Sequence, residues 1–244
     1  MSQPSRRRFL AASSLALLFS SATSSFAAVI RGVLPFASKA YPPEPVDPQG
    51  WRYFTTAEAA TVEAIVDRLI PPDPQTPGGK ECGCAIFIDH QLAGPYGRYD
   101  GYYMSGPFRD GSKEQGPQSP TTPAEQYRKA LSALDAYCNK VHGGVTFSAL
   151  SDSEKDSVLG GLESGKIALE EVDGGSFFNL ILKDAQQGFL ADPIYGGNKN
   201  MAGWKMIGFP GARYDYRDWV DKHNQPYPHP PVSIADHPGW SVKS

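Results

Sequence analysis

The chain has 244 residues, and its 25 glycines and 22 prolines are nearly a fifth of it, so regular secondary structure throughout is excluded. Hydrophobic residues make up 40% and charged residues 20%, enough for a buried core and too little charge for a wholly disordered chain. The formal charge of −3 gives no general attraction for nucleic acid or acidic lipid, which argues against a phosphate-driven binder.

The N-terminus opens with Ser5-Arg6-Arg7-Arg8-Phe9-Leu10. An apolar, Ser- and Ala-rich run without charged residues follows from Ala11 to Ile30. A charged start, an apolar stretch and a small-residue exit make a secretory signal. Arg6, Arg7, Phe9 and Leu10 match the twin-arginine export pattern. Ser25-Phe26-Ala27 supplies a cleavage signal, giving a signal peptide over 1–27. The alternative is a retained transmembrane anchor, since about 20 apolar residues span a bilayer. Seven serines and threonines between Ser13 and Ser25 lower the hydrophobicity of the run and favour the signal. Twin-arginine export carries folded cargo, so the chain reads as a cofactor protein or a companion to one. The expected location is the periplasm.

Residues 28–50 form a Pro-rich linker, with Pro42, Pro43, Pro45 and Pro48 near its end. A single folded domain is expected over 51–244. Thr55-Thr56-Ala57-Glu58 is a capping box, and Val62, Ile65, Val66, Leu69 and Ile70 fall on one helical face behind it. Pro71-Pro72 ends that helix. A shorter helix is expected from about Glu81 to Leu92, with Ala85, Ile88 and Leu92 inward. Residues 94–121 have no periodicity and hold Tyr96, Tyr99, Tyr102, Tyr103 and Phe108. These aromatics read equally as a satellite core or as a partner contact. Thr122-Pro123-Ala124-Glu125 is a second capping box, leading a stripe of Tyr127, Leu131, Leu134, Cys138 and Val141. Ser151 to Glu154 is a third, leading Val158, Leu159 and Leu162. A last helix runs from about Ser176 to Leu190. From about 191 an irregular, aromatic tail extends to the C-terminus. The expected fold is all-α: a small irregular helical bundle with long Gly/Pro/aromatic loops and an extended C-terminal tail.

Cys82, Cys84 and Cys138 agree with an oxidising compartment. Cys82-Gly83-Cys84 reads as part of a structural disulfide or of a metal site, and no further ligands at metal spacing lie nearby. Cys84 lies near the start of one helix and Cys138 on the inward stripe of the next long one. The expected disulfide is Cys84 to Cys138, with Cys82 left over. No zinc-hydrolase, nucleophile-elbow, dinucleotide or c-type haem motif occurs. Asp67, Asp89, Asp135 and Asp156 lie on helices and are expected to face solvent. The chain thus reads as non-catalytic, with no catalytic, cofactor-binding or metal residues of its own.

A set of segments carries a resemblance. Phe54-x-x-x-Glu58, Asp67 to Asp73 and Phe87 to Leu92 belong to it, as do Tyr103 to Phe108 and Phe177-Phe178. So do Asp192-Pro193-Ile194-Tyr195-Gly196-Gly197-Asn198 and Gly203-Trp204-Lys205. Together they resemble the gluconate 2-dehydrogenase subunit 3 family, the small subunit of membrane-associated flavin dehydrogenases. The resemblance implies a large subunit carrying FAD, which oxidises gluconate to 2-ketogluconate. It implies a multihaem cytochrome c subunit, with haem c passing electrons to quinone. The small subunit would engage the twin-arginine translocation machinery and support maturation of the flavin subunit, with no nucleic acid partner. Within that frame, Tyr103, Tyr195, Gly196, Gly197, Asn198 and Trp204 are the expected interface residues. Tyr195 and Trp204 would be its anchors. The competing reading is a self-sufficient periplasmic sugar-binding protein that uses its aromatic loops as a platform.

Overall fold

Local signals decide where the helices start. In a computed structural model, Thr55 and Glu58 cap α1 (Thr56–Leu69) reciprocally, and Val62, Ile65 and Val66 are buried along its inner face. Thr122 and Glu125 do the same for α4 (Pro123–Val141). For α5 (Asp152–Glu163), the Ser151 amide donates to Glu154 at 2.9 Å. Each box satisfies amides that the first turn leaves without partners.

Between these lie α2 (Cys84–Ala93) and α3 (Pro95–Arg98), and after them α6 (Gly174–Leu190) and α7 (Ala202–Ile207). Asp173 caps α6 by accepting from the Gly175 and Ser176 amides. The described residues are 44–109, 111–112, 115, 119–213 and 216–236, all in the unit Ala40–Ser244. Among them there is no sheet, only the isolated bridges Leu169 to Val172 and Gly211 to Val232, so the fold is all-α. No helix among these residues is long and apolar enough to cross a membrane. The export-signal residues Arg6, Arg7, Phe9 and Leu10 lie outside the described residues.

The centre of the bundle is α6, which packs against α1, α2, α4, α5 and α7. Phe177, Phe178, Ile181, Ala185 and Phe189 are its buried apolar side chains. Tyr127 of α4 meets Phe177 edge-on at 5.7 Å and is fully buried. Val141, expected to extend the α4 stripe inward, is exposed because it falls in the last turn, past the packed part of that helix. The irregular stretches are also more ordered than the sequence suggests. α3 forms inside the loop after Gly94. The tail beyond 191 contains α7 and three short 3-10 turns, at Pro193–Tyr195, Lys199–Met201 and Arg217–Trp219.

One expected surface carboxylate is the main anchor of the N-terminal segment. Asp89 on α2 is fully buried and accepts from the Arg52, Tyr53 and Phe54 amides at 2.7, 3.0 and 2.8 Å. It is inside because those amides precede α1 and have no helical partners of their own. Beside it, Arg128 pairs with Glu58 and stacks over the Tyr53 ring at 4.3 Å. Removing a buried partner costs about 1–3 kcal/mol per group left unsatisfied. Asp89→Ala should therefore destabilise the chain by about 3 kcal/mol or more, read from the urea midpoint. An unchanged midpoint would show that water replaces the carboxylate at no cost.

Candidate functional site

The Asp192-to-Asn198 turn and α7 form the most densely constrained part of the surface. The chain there lies against the backbone of α6. A side chain on Gly197 would collide with the Gly188 carbonyl, and one on Gly203 with the Phe189 carbonyl. Only glycine lets two backbones approach this closely. Asn198 adopts a left-handed conformation at φ 46° and is fully buried. Its amide donates to the Ala191 carbonyl at 2.9 Å, and its oxygen accepts from the Gly203 amide at 2.8 Å. The Lys199 amide donates to the Cys82 carbonyl at 3.0 Å.

Trp204 fills the space this crossing creates. It is 5% exposed, its indole N–H donates to the Leu190 carbonyl at 2.8 Å, and its ring meets Phe209 edge-on at 5.1 Å. The expectation that Gly197, Asn198 and Trp204 touch a partner is therefore corrected. They are buried within this chain, and the close backbone approach is to α6. Gly196 is half-buried, at φ 91°, where it ends the Pro193–Tyr195 turn. Tyr195 is half-buried at the edge of a groove of about 730 Å³, shared with Phe87, Gln91, Lys183, Gln187 and Leu190. Tyr103 is the most exposed of the expected set, at 85%. Tyr102 and Phe108 are exposed on the same loop, and Met206, Ile207 and Phe209 are exposed at the end of α7.

Two further carboxylates hold the loops around this face: Asp192, which opens the turn, and Asp184, which the sequence does not single out. Asp192 is buried and accepts from the Ile194 amide at 2.9 Å, the Ser233 hydroxyl at 2.7 Å and the Ile234 amide at 2.8 Å. The end of the described tail is thereby stapled to the domain. Asp184 on α6 is buried and accepts from the Tyr127 hydroxyl at 2.8 Å and the Tyr96 hydroxyl at 3.1 Å. Burial raises the Asp184 carboxyl above its ordinary value, although the two tyrosines and Lys183 oppose that shift. Burial and the neighbouring carboxylate push the Tyr96 and Tyr127 hydroxyls up as well.

The expected disulfide is not formed: Cys82, Cys84 and Cys138 are free and buried. The reason is packing. The Cys84 backbone lies against Gly188 of α6, so that end of α2 faces α6. Cys138 sits near the end of α4, one turn beyond Asp135, which accepts from the Phe147 amide. Burial pushes the thiols of Cys82 and Cys138 up to about 11 and that of Cys84 to about 12. Burial thus favours the protonated thiol at all three positions at neutral pH. Among the described residues, no group of three or more His, Cys, Asp or Glu side chains is placed to hold a metal ion.

Trp204→Ala should lower the stability of the isolated chain by about 3–5 kcal/mol, as large core truncations do. A melting temperature close to that of the unmodified chain would instead make Trp204 a surface residue. A second expectation concerns pH. A carboxyl raised in the folded state holds its proton longer there than in the unfolded chain. Its contribution is full below the ordinary carboxylate range and is lost as pH rises through the raised value. Asp184→Asn removes that titration, so stability should fall less between acid and neutral pH. Asp135, also raised chiefly by burial, accounts for a remaining fall. Identical pH profiles for the Asp184→Asn and unmodified chains would refute this account.

No curated protein and no solved structure matches the chain. The family model described as gluconate 2-dehydrogenase subunit 3 matches residues 56–211. That stretch runs from the start of α1 to the bridge residue Gly211 and takes in the Asp192-to-Asn198 turn and α7. With more than half of its length matched, this chain belongs to the gluconate 2-dehydrogenase subunit 3 family.

Proposed function

We propose that this chain is the non-catalytic small subunit of a flavin-dependent gluconate 2-dehydrogenase complex. The family match over 56–211 is the observation that carries the proposal. In this reading a large FAD-bearing subunit oxidises gluconate to 2-ketogluconate. A multihaem cytochrome c subunit takes the electrons on to quinone. The small subunit supplies the twin-arginine signal, brings the flavin subunit to the periplasm and keeps it stable there.

The physical support is of two kinds. The family match takes in the Asp192-to-Asn198 turn and α7, the part of the chain whose backbone is most tightly fixed. The loop bearing Tyr102, Tyr103 and Phe108 presents large apolar area to solvent, the residue types that interfaces favour. Burial of Trp204 weighs against a free-standing sugar platform on that ring.

Export supplies the test. With Arg6→Lys and Arg7→Lys together, both this chain and the flavin subunit should remain in the cytoplasm. Cell fractionation followed by flavin fluorescence of each fraction reads the result. Arrival of the flavin subunit in the periplasm of that mutant would end the escort role.

A further inference from the structure

We propose that α7 and the basic groove beside it form a docking surface for a partner-subunit segment that carries carboxylates next to apolar side chains. The inference rests on the reading of this chain as a subunit and adds the place and chemistry of one contact.

The helix has two unlike faces. Gly203 and Trp204 point inward and are buried. Met206 and Ile207 are each 56% exposed and Phe209 44%, three large apolar side chains within four positions. Single exposed apolar residues are ordinary on a soluble protein, whereas a contiguous group marks a contact.

Charge narrows the occupant. A groove of about 550 Å³ adjoins Met206 and is lined by Gln75, Thr76, Lys199, Asn200 and Lys205. No carboxylate is among these lining side chains; the nearest in sequence, Asp73, is turned to the loop backbone and accepts from the Gln75 and Thr76 amides, each at 2.7 Å. Both lysines are exposed, and no ion pair among the described residues engages either. Two ammonium groups beside an apolar ridge complement an acidic, apolar segment and disfavour a basic one.

The surface is also held in shape before any partner arrives. Asn198, Asn200 and Met201 all adopt left-handed conformations, at φ 46°, 58° and 56°. Such conformations persist in non-glycine residues only where the surroundings fix them. Here the fixing comes from the Asn198 bonds and from the Lys199 amide on Cys82. A pre-shaped contact loses less conformational freedom on binding.

The test co-produces the tagged full chain with the flavin-bearing large subunit and measures the amount retained on the tag at low and raised salt. The unmodified chain should retain it and release it progressively as salt rises. Lys199→Glu with Lys205→Glu should lower retention at low salt by about tenfold or more, and Met206→Ala with Ile207→Ala by a similar factor at both salts. Both variants should melt like the unmodified chain, because the altered side chains are exposed. Undiminished retention by the lysine variant overturns the docking surface while leaving the subunit reading intact. Failure of the unmodified chain to retain the large subunit overturns the subunit reading and removes the occupant with it. If the chain alone is a dimer that the lysine variant splits, the occupant is a second copy and the proposal fails.

Discussion

The turn from Gly196 to Gly203 crosses α6 at backbone contact, and the C-terminal part of the domain is positioned by that crossing. Gly197 lies on the Gly188 carbonyl and Gly203 on that of Phe189, with no room for a Cβ at either place. Because the two backbone segments meet so closely, a side chain as short as Asn198 can reach back to Ala191 and forward to Gly203. Trp204 then lands where its N–H meets the free Leu190 carbonyl at the end of α6. That carbonyl is one of the last four of the helix and has no partner within it. One close approach thus seats a helix end, a tight turn and a short helix together.

Buried carboxylates do comparable work elsewhere. Asp89 on α2 gathers the amides of 52–54, Asp184 on α6 gathers the hydroxyls of Tyr96 and Tyr127, and Asp192 just after α6 gathers Ser233 and Ile234. In each case a regular element lends an acceptor to a segment that cannot satisfy itself. Taking a carboxylate out of water is costly unless hydrogen bonds replace its hydration. Asp89 and Asp192 each receive three such bonds, two or more of them from backbone amides. Asp184 receives only tyrosine hydroxyls; burial raises its carboxyl, and those bonds oppose the shift.

The division between legible and illegible features follows the range of the interactions. The caps at Thr55, Thr122 and Ser151 join residues three apart, so their partners are written beside them. The helical stripes repeat every three or four residues and are equally local. Asp89 is 35 to 37 residues from the amides it binds, and Asp184 is 57 and 88 from its tyrosines. Nothing at Asp89 distinguishes it from Asp156, which does face solvent and pairs with Arg68. Trp204, Gly197 and Asn198 form a recognisable motif, but the sequence does not say whether its glycines admit a partner or the chain's own helix. Helix order alone suggests pairing Cys84 with Cys138, and order does not fix which face of α2 turns to α6.

What remains on the surface is shaped by what is pinned beneath it. Tyr96 is tethered to Asp184, and the loop that follows displays Tyr102, Tyr103 and Phe108 from that fixed root. Trp204 is locked to Leu190, and the same short helix displays Met206 and Ile207. In both places an aromatic with a satisfied polar atom, half-buried Tyr96 and buried Trp204, precedes exposed apolar side chains. Ordering a segment costs roughly 1–2 kcal/mol per residue in backbone freedom, and here much of that cost falls on folding instead of on association. A small helical chain rich in glycine and proline can in this way offer irregular loops as defined contact surfaces, because internal carboxylates and carbonyls hold those loops in place.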